Sequence, residues 1–355
     1  MNTNENHCFR LPAEWEPQSG IILIWPHEDT DWRPYLNEIT EVYLQMADAI
    51  TRFEPLLITA RDTEKIHSLL AERLTEGQMK RVTLFACDNN DTWARDVAPI
   101  SLVSDKEPKG SLQALCLLDF CFNGWGEKFA AEKDNRINRQ LYEAGLLQGV
   151  LENHKNFVLE GGSIESDGDR TLFTTTGCLM APHRNQPLTQ EEIDKRLRLF
   201  FPNVERVVWL DYGQLAGDDT DGHIDTIVRV APNHTLLYIG CDDKEDEHYE
   251  DFRLLEEQLK QLRTIDGDPY RLLRLPMPDA IYDDGERLPA THANFLIING
   301  AVLVPTYNQP EKDKAALDTI QEAFPDREII GIDSRTIIRQ HGSIHCLTMQ
   351  LPLNG

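Results

Sequence analysis

The sequence predicts an α/β fold in which strands outnumber helices and no linker divides the chain. Three observations carry that expectation. Short apolar runs of strand length alternate with amphipathic stretches of helix length along the 355 residues. Strands flank each helical stretch, the pattern of strand–helix–strand units. No segment rich in Pro, Gly or Ser interrupts the alternation.

Ile21 to Trp25 reads as a strand. Tyr35 to Phe53 follows as a helix, because Leu36, Ile39, Val42, Tyr43, Met46 and Ile50 recur at helical spacing. Pro55 to Ala60 is a strand, Thr63 to Leu74 a helix and Arg81 to Phe85 a strand. Further helices are predicted near Asn135 to Leu147, Thr189 to Phe200, Tyr249 to Leu262 and Lys312 to Phe324. Thr189 with Glu192 forms a capping box at the second of these four. Strands are predicted at Val207 to Leu210, Thr226 to Val230, Leu236 to Ile239, Phe295 to Ile298, Val302 to Val304 and Glu328 to Ile332. The charge run Asp242 to Glu247 reads as a solvated loop. No repeat is visible letter by letter, although the recurring units are compatible with a degenerate structural one.

At roughly 150 residues per domain the length would admit two domains. The hydrophobic fraction of 41% supports a core large enough to need neither disulfides nor metals. Seven scattered cysteines, an odd number at long spacings, argue against a disulfide framework. The polar opening Met1 to Asn6 carries no basic-then-apolar segment, so a secretory signal is not expected and a reducing cytoplasmic setting is. No apolar run is long enough to span a membrane. The net charge of −25 repels nucleic acid and anionic lipid, and it would steer a small cation inward.

Four segments place reactive groups beside glycines and strand signals. Asn90 to Pro99 packs Trp93, Arg95 and Asp96 after a strand; a salt-bridged loop explains it as well as a carboxylate facing a cation under an aromatic lid does. Leu159-Glu160-Gly161-Gly162 is either a plain hairpin turn or a sharp bend that aims Glu160 inward. In Gly217 to Val230 the strand-like alternation puts His223 and Asp225 on one face, a common acid–base pairing. The acids there lack the spacing and closing Glu of a calcium loop. Cys346, in Gln340 to Pro352, is a buried small hydrophobe on the ordinary reading and a nucleophile on the other. Zinc ligation by His341, His345 and Cys346 lacks a second Cys or His pair at finger spacing.

Taken in order, these segments resemble the agmatine deiminase family, part of the guanidino-group-modifying superfamily and related to bacterial peptidylarginine deiminases. The matching stretches are Pro12-Ala13-Glu14-Trp15-Glu16-Pro17-Gln18, Trp93-Ala94-Arg95-Asp96, Phe122-Asn123-Gly124-Trp125-Gly126, Glu160-Gly161-Gly162, Gly222-His223-Ile224-Asp225 and Ile344-His345-Cys346-Leu347-Thr348. The resemblance implies one catalytic domain over 1–355, a five-bladed α/β propeller with approximate fivefold symmetry, and a site in its central funnel. It implies Cys346 as nucleophile, His223 as general acid/base with Glu160 as partner, Asp96 and Asp225 as guanidinium-binding carboxylates, and Trp93 and Trp125 beside the substrate. Two departures stand out: Gly342 alone remains of a glycine run before the His-Cys, and Glu127 follows Gly126 where glycine is frequent.

The chemistry of these residues agrees. A guanidinium is a planar cation whose N–H pairs carboxylates grip bidentately. A thiol among carboxylates has its pKa raised and needs the substrate's charge to ionise. Agmatine ends in an amine that prefers acids, and Asp219, with Asp218 and Asp221, is the candidate partner. The expected product is N-carbamoylputrescine with ammonia, formed without metal or organic cofactor. A homo-oligomer is compatible. The alternatives are a deiminase of free or peptidyl arginine and a non-catalytic guanidine-binding protein.

Overall fold

The computed structural model describes residues 9–104, 106–107 and 114–353. The N-terminal residues used above to judge a signal, and Cys8, lie outside the described residues. The described cysteines are all free thiols. No helix among the described residues is long and apolar enough to cross a membrane.

The mixed α/β fold is built from one supersecondary unit used five times. In each, a first strand pairs antiparallel with a second, and a helix returns the chain to a third strand parallel to the second. Ile100–Ser104, Leu115–Cys121 and Val150–Val158 form one unit, with Phe9–Arg10 added at its edge. Ile164–Ser166, Thr171–Thr175 and Arg206–Leu210 form the next. Val228–Ala231, Thr235–Gly240 and Arg271–Pro276 follow, then Leu296–Ile298, Ala301–Thr306 and Glu328–Asp333. The last joins both ends of the chain. Thr348–Pro352 pairs antiparallel with Gln18–Ile24, which runs parallel to Leu56–Ala60 and through it to Val82–Ala86. The degenerate repeat that the sequence allowed is thus present.

The local reasons are ordinary. Central strands such as Gln18–Ile24 and Leu56–Ala60 are buried on both faces, as parallel strands under helices must be, hence their continuous apolar runs. Leu36–Thr51 buries Ile39, Val42, Tyr43, Met46 and Ile50 and leaves its polar face outside. Gln190–Phe200 starts at the Thr189–Glu192 capping box. The run Asp242–Glu247 is largely exposed, as expected.

Two expectations need correction. The helix expected over Asn135 to Leu147 is a 3₁₀ turn, Asp134–Arg136, followed by Ile137–Glu143. It stops because Gly145 adopts φ +72°, with Gly145 N–H bonding to Tyr142 O and Leu146 N–H to Leu141 O. The strand expected from Thr226 begins at Val228, and Ile224–Thr226 is a 3₁₀ turn. His223 and Asp225 therefore do not share a strand face. The Thr226 hydroxyl donates to His223 O at 2.8 Å and Ile227 N–H to Ile224 O at 3.0 Å, closing the chain into the turn instead.

Candidate active site

A short turn precedes the first strand of every unit, and these five turns meet. They carry Asp96 (Ala94–Val97), Gly162 (Gly161–Ser163), Asp225 (Ile224–Thr226), Asn294 and Cys346. The contacts run from one to the next and return to the start. Gly162 N–H donates to Asp96 Oδ1 at 3.0 Å, and Asn294 Nδ2 donates to Asp225 O at 3.3 Å. His345 N–H donates to Asn294 O, and Arg95 N–H donates to Cys346 O, both at 3.1 Å. The remaining junction is packed too tightly for a side chain: a Cβ on Gly162 would lie 2.5 Å from His223 Nδ1 and 3.1 Å from oxygens of Asp225 and Asp96. Glycine is required there because the backbone must pass beneath three polar groups.

The structure brings Cys346, Asp225, Asp96 and His223 together, all fully or nearly fully buried. Cys346 Sγ lies 3.6 Å from Asp225 Oδ2 and accepts from Asn294 Nδ2 at 3.2 Å. Asp96 Oδ1 is 3.8 Å from His223 Nδ1, and its other oxygen accepts the Trp125 indole N–H at 3.0 Å. Among the described residues, both ring nitrogens of His223 and Oδ1 of Asp225 are buried without a hydrogen-bond partner, with the Cys178 sulfur within 4.8 Å of the imidazole. Buried polar atoms left open at one point are what a ligand-binding centre requires.

The electrostatics follow from this crowding. Burial, then Asp225 and Asp96, push the Cys346 thiol well above its ordinary value, while Ser343 N–H and Asn294 act the other way. Burial raises Asp96, reinforced by Asp225 and Glu160 and opposed by His223. Burial would raise Asp225 as well, but the hydrogen bond and charge of His345 and the charge of His223 hold it below the usual range. Burial disfavours a charged His223, yet Asp96, Cys178 and Glu160 lift it well above.

The other expected residues have more specific surroundings than the sequence disclosed. Glu160 makes no hydrogen bond to His223: one oxygen accepts Arg184 Nε at 3.0 Å and the other is open. Trp93 is a buried wall between Trp32 and Trp125, its N–H on Asp91 at 3.0 Å. Gly342 lies under it, since a Cβ there would sit 2.1 Å from the indole. Glu127 has φ +66°, the backbone reason that glycine suits the position, and faces His183 at 3.4 Å. Of the loop acids, Asp218 holds the turn through Thr220 and Gly222, and Asp221 pairs with Arg184 and Lys128. Asp219 alone has a carboxylate outside these pairs, raised to about 6 by burial and by Asp218.

Sequence reasoning missed Asn294, whose side chain joins Cys346 to the Asp225 backbone; its only signal was a position two residues before a strand, like Cys346. It also gave no role to Glu14, Glu165, Arg229 and His345, which lie buried or half-buried behind Asp225. Two groups, Glu160–Cys178–His223 and Glu14–Glu165–His345, bring possible metal-ligating atoms within 4.8 Å of one another. Each already holds a guanidinium, Arg184 in the first and Arg229 in the second, whose charge opposes a divalent ion.

A profile of the Porphyromonas-type peptidyl-arginine deiminase family matches residues 10–352. The agmatine deiminase of Pseudomonas aeruginosa strain LESB58 is 31% identical, over 97% of this chain and 95% of its own. A Porphyromonas gingivalis structure, provisionally named an arginine deiminase, superposes with a TM-score of 0.90 at 47% identity, covering 98% of this chain and 99% of that one. The C. jejuni agmatine deiminase carrying a Cys-to-Ser substitution, with substrate bound, gives 0.89 at 35% identity over 99% and 98%. This chain belongs to the Porphyromonas-type peptidyl-arginine deiminase family.

Proposed function

We propose that this chain hydrolyses the guanidinium of agmatine to N-carbamoylputrescine and ammonia through a covalent intermediate on Cys346. The observation that supports it is a buried point where the Cys346 thiol, two carboxylates and an imidazole converge. The full-length likeness to agmatine deiminases supports the same substrate class. On this reading the five like sheets are the blades of a propeller and the ring of turns is the floor of its funnel.

Asp96 and Asp225 grip the guanidinium plane, Asp225 using the oxygen left open, and present the central carbon to Cys346. The bound cation offsets the two carboxylates, so the thiolate becomes accessible, with Asn294 Nδ2 and Ser343 N–H as donors to it. Attack gives a tetrahedral centre. His223 protonates the departing nitrogen, ammonia leaves, and a thiouronium remains. The neutral imidazole then takes a proton from water, which adds to the carbon and frees the thiol and the ureido product. Glu160 lends its charge to His223 across a gap rather than through a hydrogen bond. Trp93 and Trp125 wall the site, and Asp219 meets the distal amine.

Arginine, free or peptidyl, is the second reading, favoured by the family description and the Porphyromonas gingivalis neighbour. Against free arginine, the two cations beside the acid loop, Lys128 and Arg184, are already paired. Ammonia release from agmatine, arginine and a blocked peptidyl-arginine, assayed in parallel, separates the readings. Turnover of agmatine alone supports the proposal, and turnover of an arginine instead overturns the substrate. Ligand-induced stabilisation without product would mark a binder.

A further inference from the structure

We propose that His345 and Glu14 are positioning residues for Asp225, joined to it in a buried carboxylate–imidazole–carboxylate bridge that aims its open oxygen at the guanidinium. The inference rests on Asp225 acting as a substrate carboxylate, as read above.

His345 Nδ1 lies 2.7 Å from Asp225 Oδ2 and Nε2 lies 2.8 Å from Glu14 Oε1. An ionised carboxylate only accepts, so the ring donates on both sides and cannot rotate without losing both bonds. The same Asp225 Oδ2 faces Cys346 Sγ, while Oδ1 is buried and unpartnered. His345 therefore decides which oxygen is left for the ligand.

Glu14 is fixed in turn. It accepts from Arg95 at 2.9 Å, Arg229 at 2.6 Å and Gln350 at 3.2 Å, and Arg229 is held by Glu165 at 2.5 Å. Burial would raise its carboxyl, but His345, Arg95 and Arg229 hold it well below the usual range. The segment before the strand Gln18–Ile24 thus reaches the back of the site. His345 also precedes the nucleophile, and its N–H on Asn294 O ties the turn to the neighbouring one.

The charged and titratable groups facing Asp225 are His345, His223, Arg229, Asp96 and Cys346. Of these, His345 gives its carboxylate the shortest hydrogen bond among the described residues, 2.7 Å against 3.6 Å from the Cys346 thiol to the same oxygen. Removing that donor raises the Asp225 pKa, so its acid limb of kcat/KM moves to higher pH; the limb is read in an Asp219→Asn background, where the Asp219 titration at about 6 does not mask it.

Two substitutions separate the ends of the bridge. His345→Asn keeps an amide nitrogen near the Nδ1 position, toward Asp225; His345→Gln keeps one near Nε2, toward Glu14. With agmatine as the probe, the Gln variant should raise KM about tenfold or more, with a smaller change in kcat and an acid limb shifted upward. The Asn variant keeps the donor to Asp225 but loses the anchor on Glu14, so both KM and the limb should move less than in the Gln variant. Equal KM values and coincident acid limbs for the two folded variants overturn the inference. If His345→Gln does not fold, Glu14→Gln is read on the same limb: a rise supports the bridge and an unmoved limb overturns it. Wild type without guanidine turnover would instead sink the functional reading itself.

Discussion

At the scale of single residues, the site is a charge problem solved by its ligand. Cys346 sits against two carboxylates and stays a thiol until a cation arrives. Alkylation of the free protein at Cys346 should therefore be slow at neutral pH and accelerate only above the ordinary thiol range; fast labelling at pH 7, followed by peptide mapping, would contradict this. Asp219 titrates at about 6 from an ordinary 3.8, so its carboxylate is lost as pH falls through about 6. KM for agmatine should rise below that pH, and Asp219→Asn should raise KM at neutral pH and flatten the dependence. Steady-state kinetics from pH 5 to 8 test both. Cys346, His223, Asp96 and Asp225 stood out as candidates because thiols, imidazoles and carboxylates beside glycine turns carry a chemical signature, and their roles entered as what the family resemblance implies. Asn294 was not, since a neutral amide before a strand resembles any turn residue. The Glu14–His345 bridge was hidden for another reason: its members are hundreds of residues apart and only folding joins them.

At the scale of elements, the working parts are the turns rather than the strands. The periodicity found the six longer helices and nine of the nineteen strands among the described residues, because burial of one helix face or both sheet faces leaves a strong pattern; Ile100–Ser104, Leu115–Cys121 and Val150–Val158 were among the strands it missed. It failed where two residues of alternation were read as strand. His223, Ile224 and Asp225 alternate polar, apolar and polar, but His345 captures Asp225 from outside, and a 3₁₀ turn satisfies the backbone locally. Glycines act at this scale through contact. The indole of Trp93 fills the space over Gly342, so Gly342→Ala must push it toward Trp32 and Trp125. Denaturant unfolding should show a loss of about 1–3 kcal/mol, the ordinary penalty for overpacking. An unchanged midpoint would mean the wall is loose.

At the scale of the whole molecule, five like units converge their turns while the last strand, Thr348–Pro352, shares a sheet with Gln18–Ile24 near the other end of the chain. The unit was legible in the sequence as alternation; the number of units and their arrangement were not, and entered as what the family resemblance implied. The net charge of −25 also acts at this scale. It should draw a cationic substrate in by long-range attraction, so kcat/KM for agmatine should fall several-fold between about 0.01 and 0.5 M salt, with kcat little changed. A salt-independent kcat/KM would confine the electrostatics to the site. The central claim, that Cys346 carries the guanidino carbon during turnover, is tested most directly by mass spectrometry of acid-quenched protein taken while it hydrolyses agmatine. An amidino adduct is expected on the peptide that holds Cys346, absent from inactive Cys346→Ala. An adduct on another residue, or undiminished ammonia release from Cys346→Ala, would contradict it.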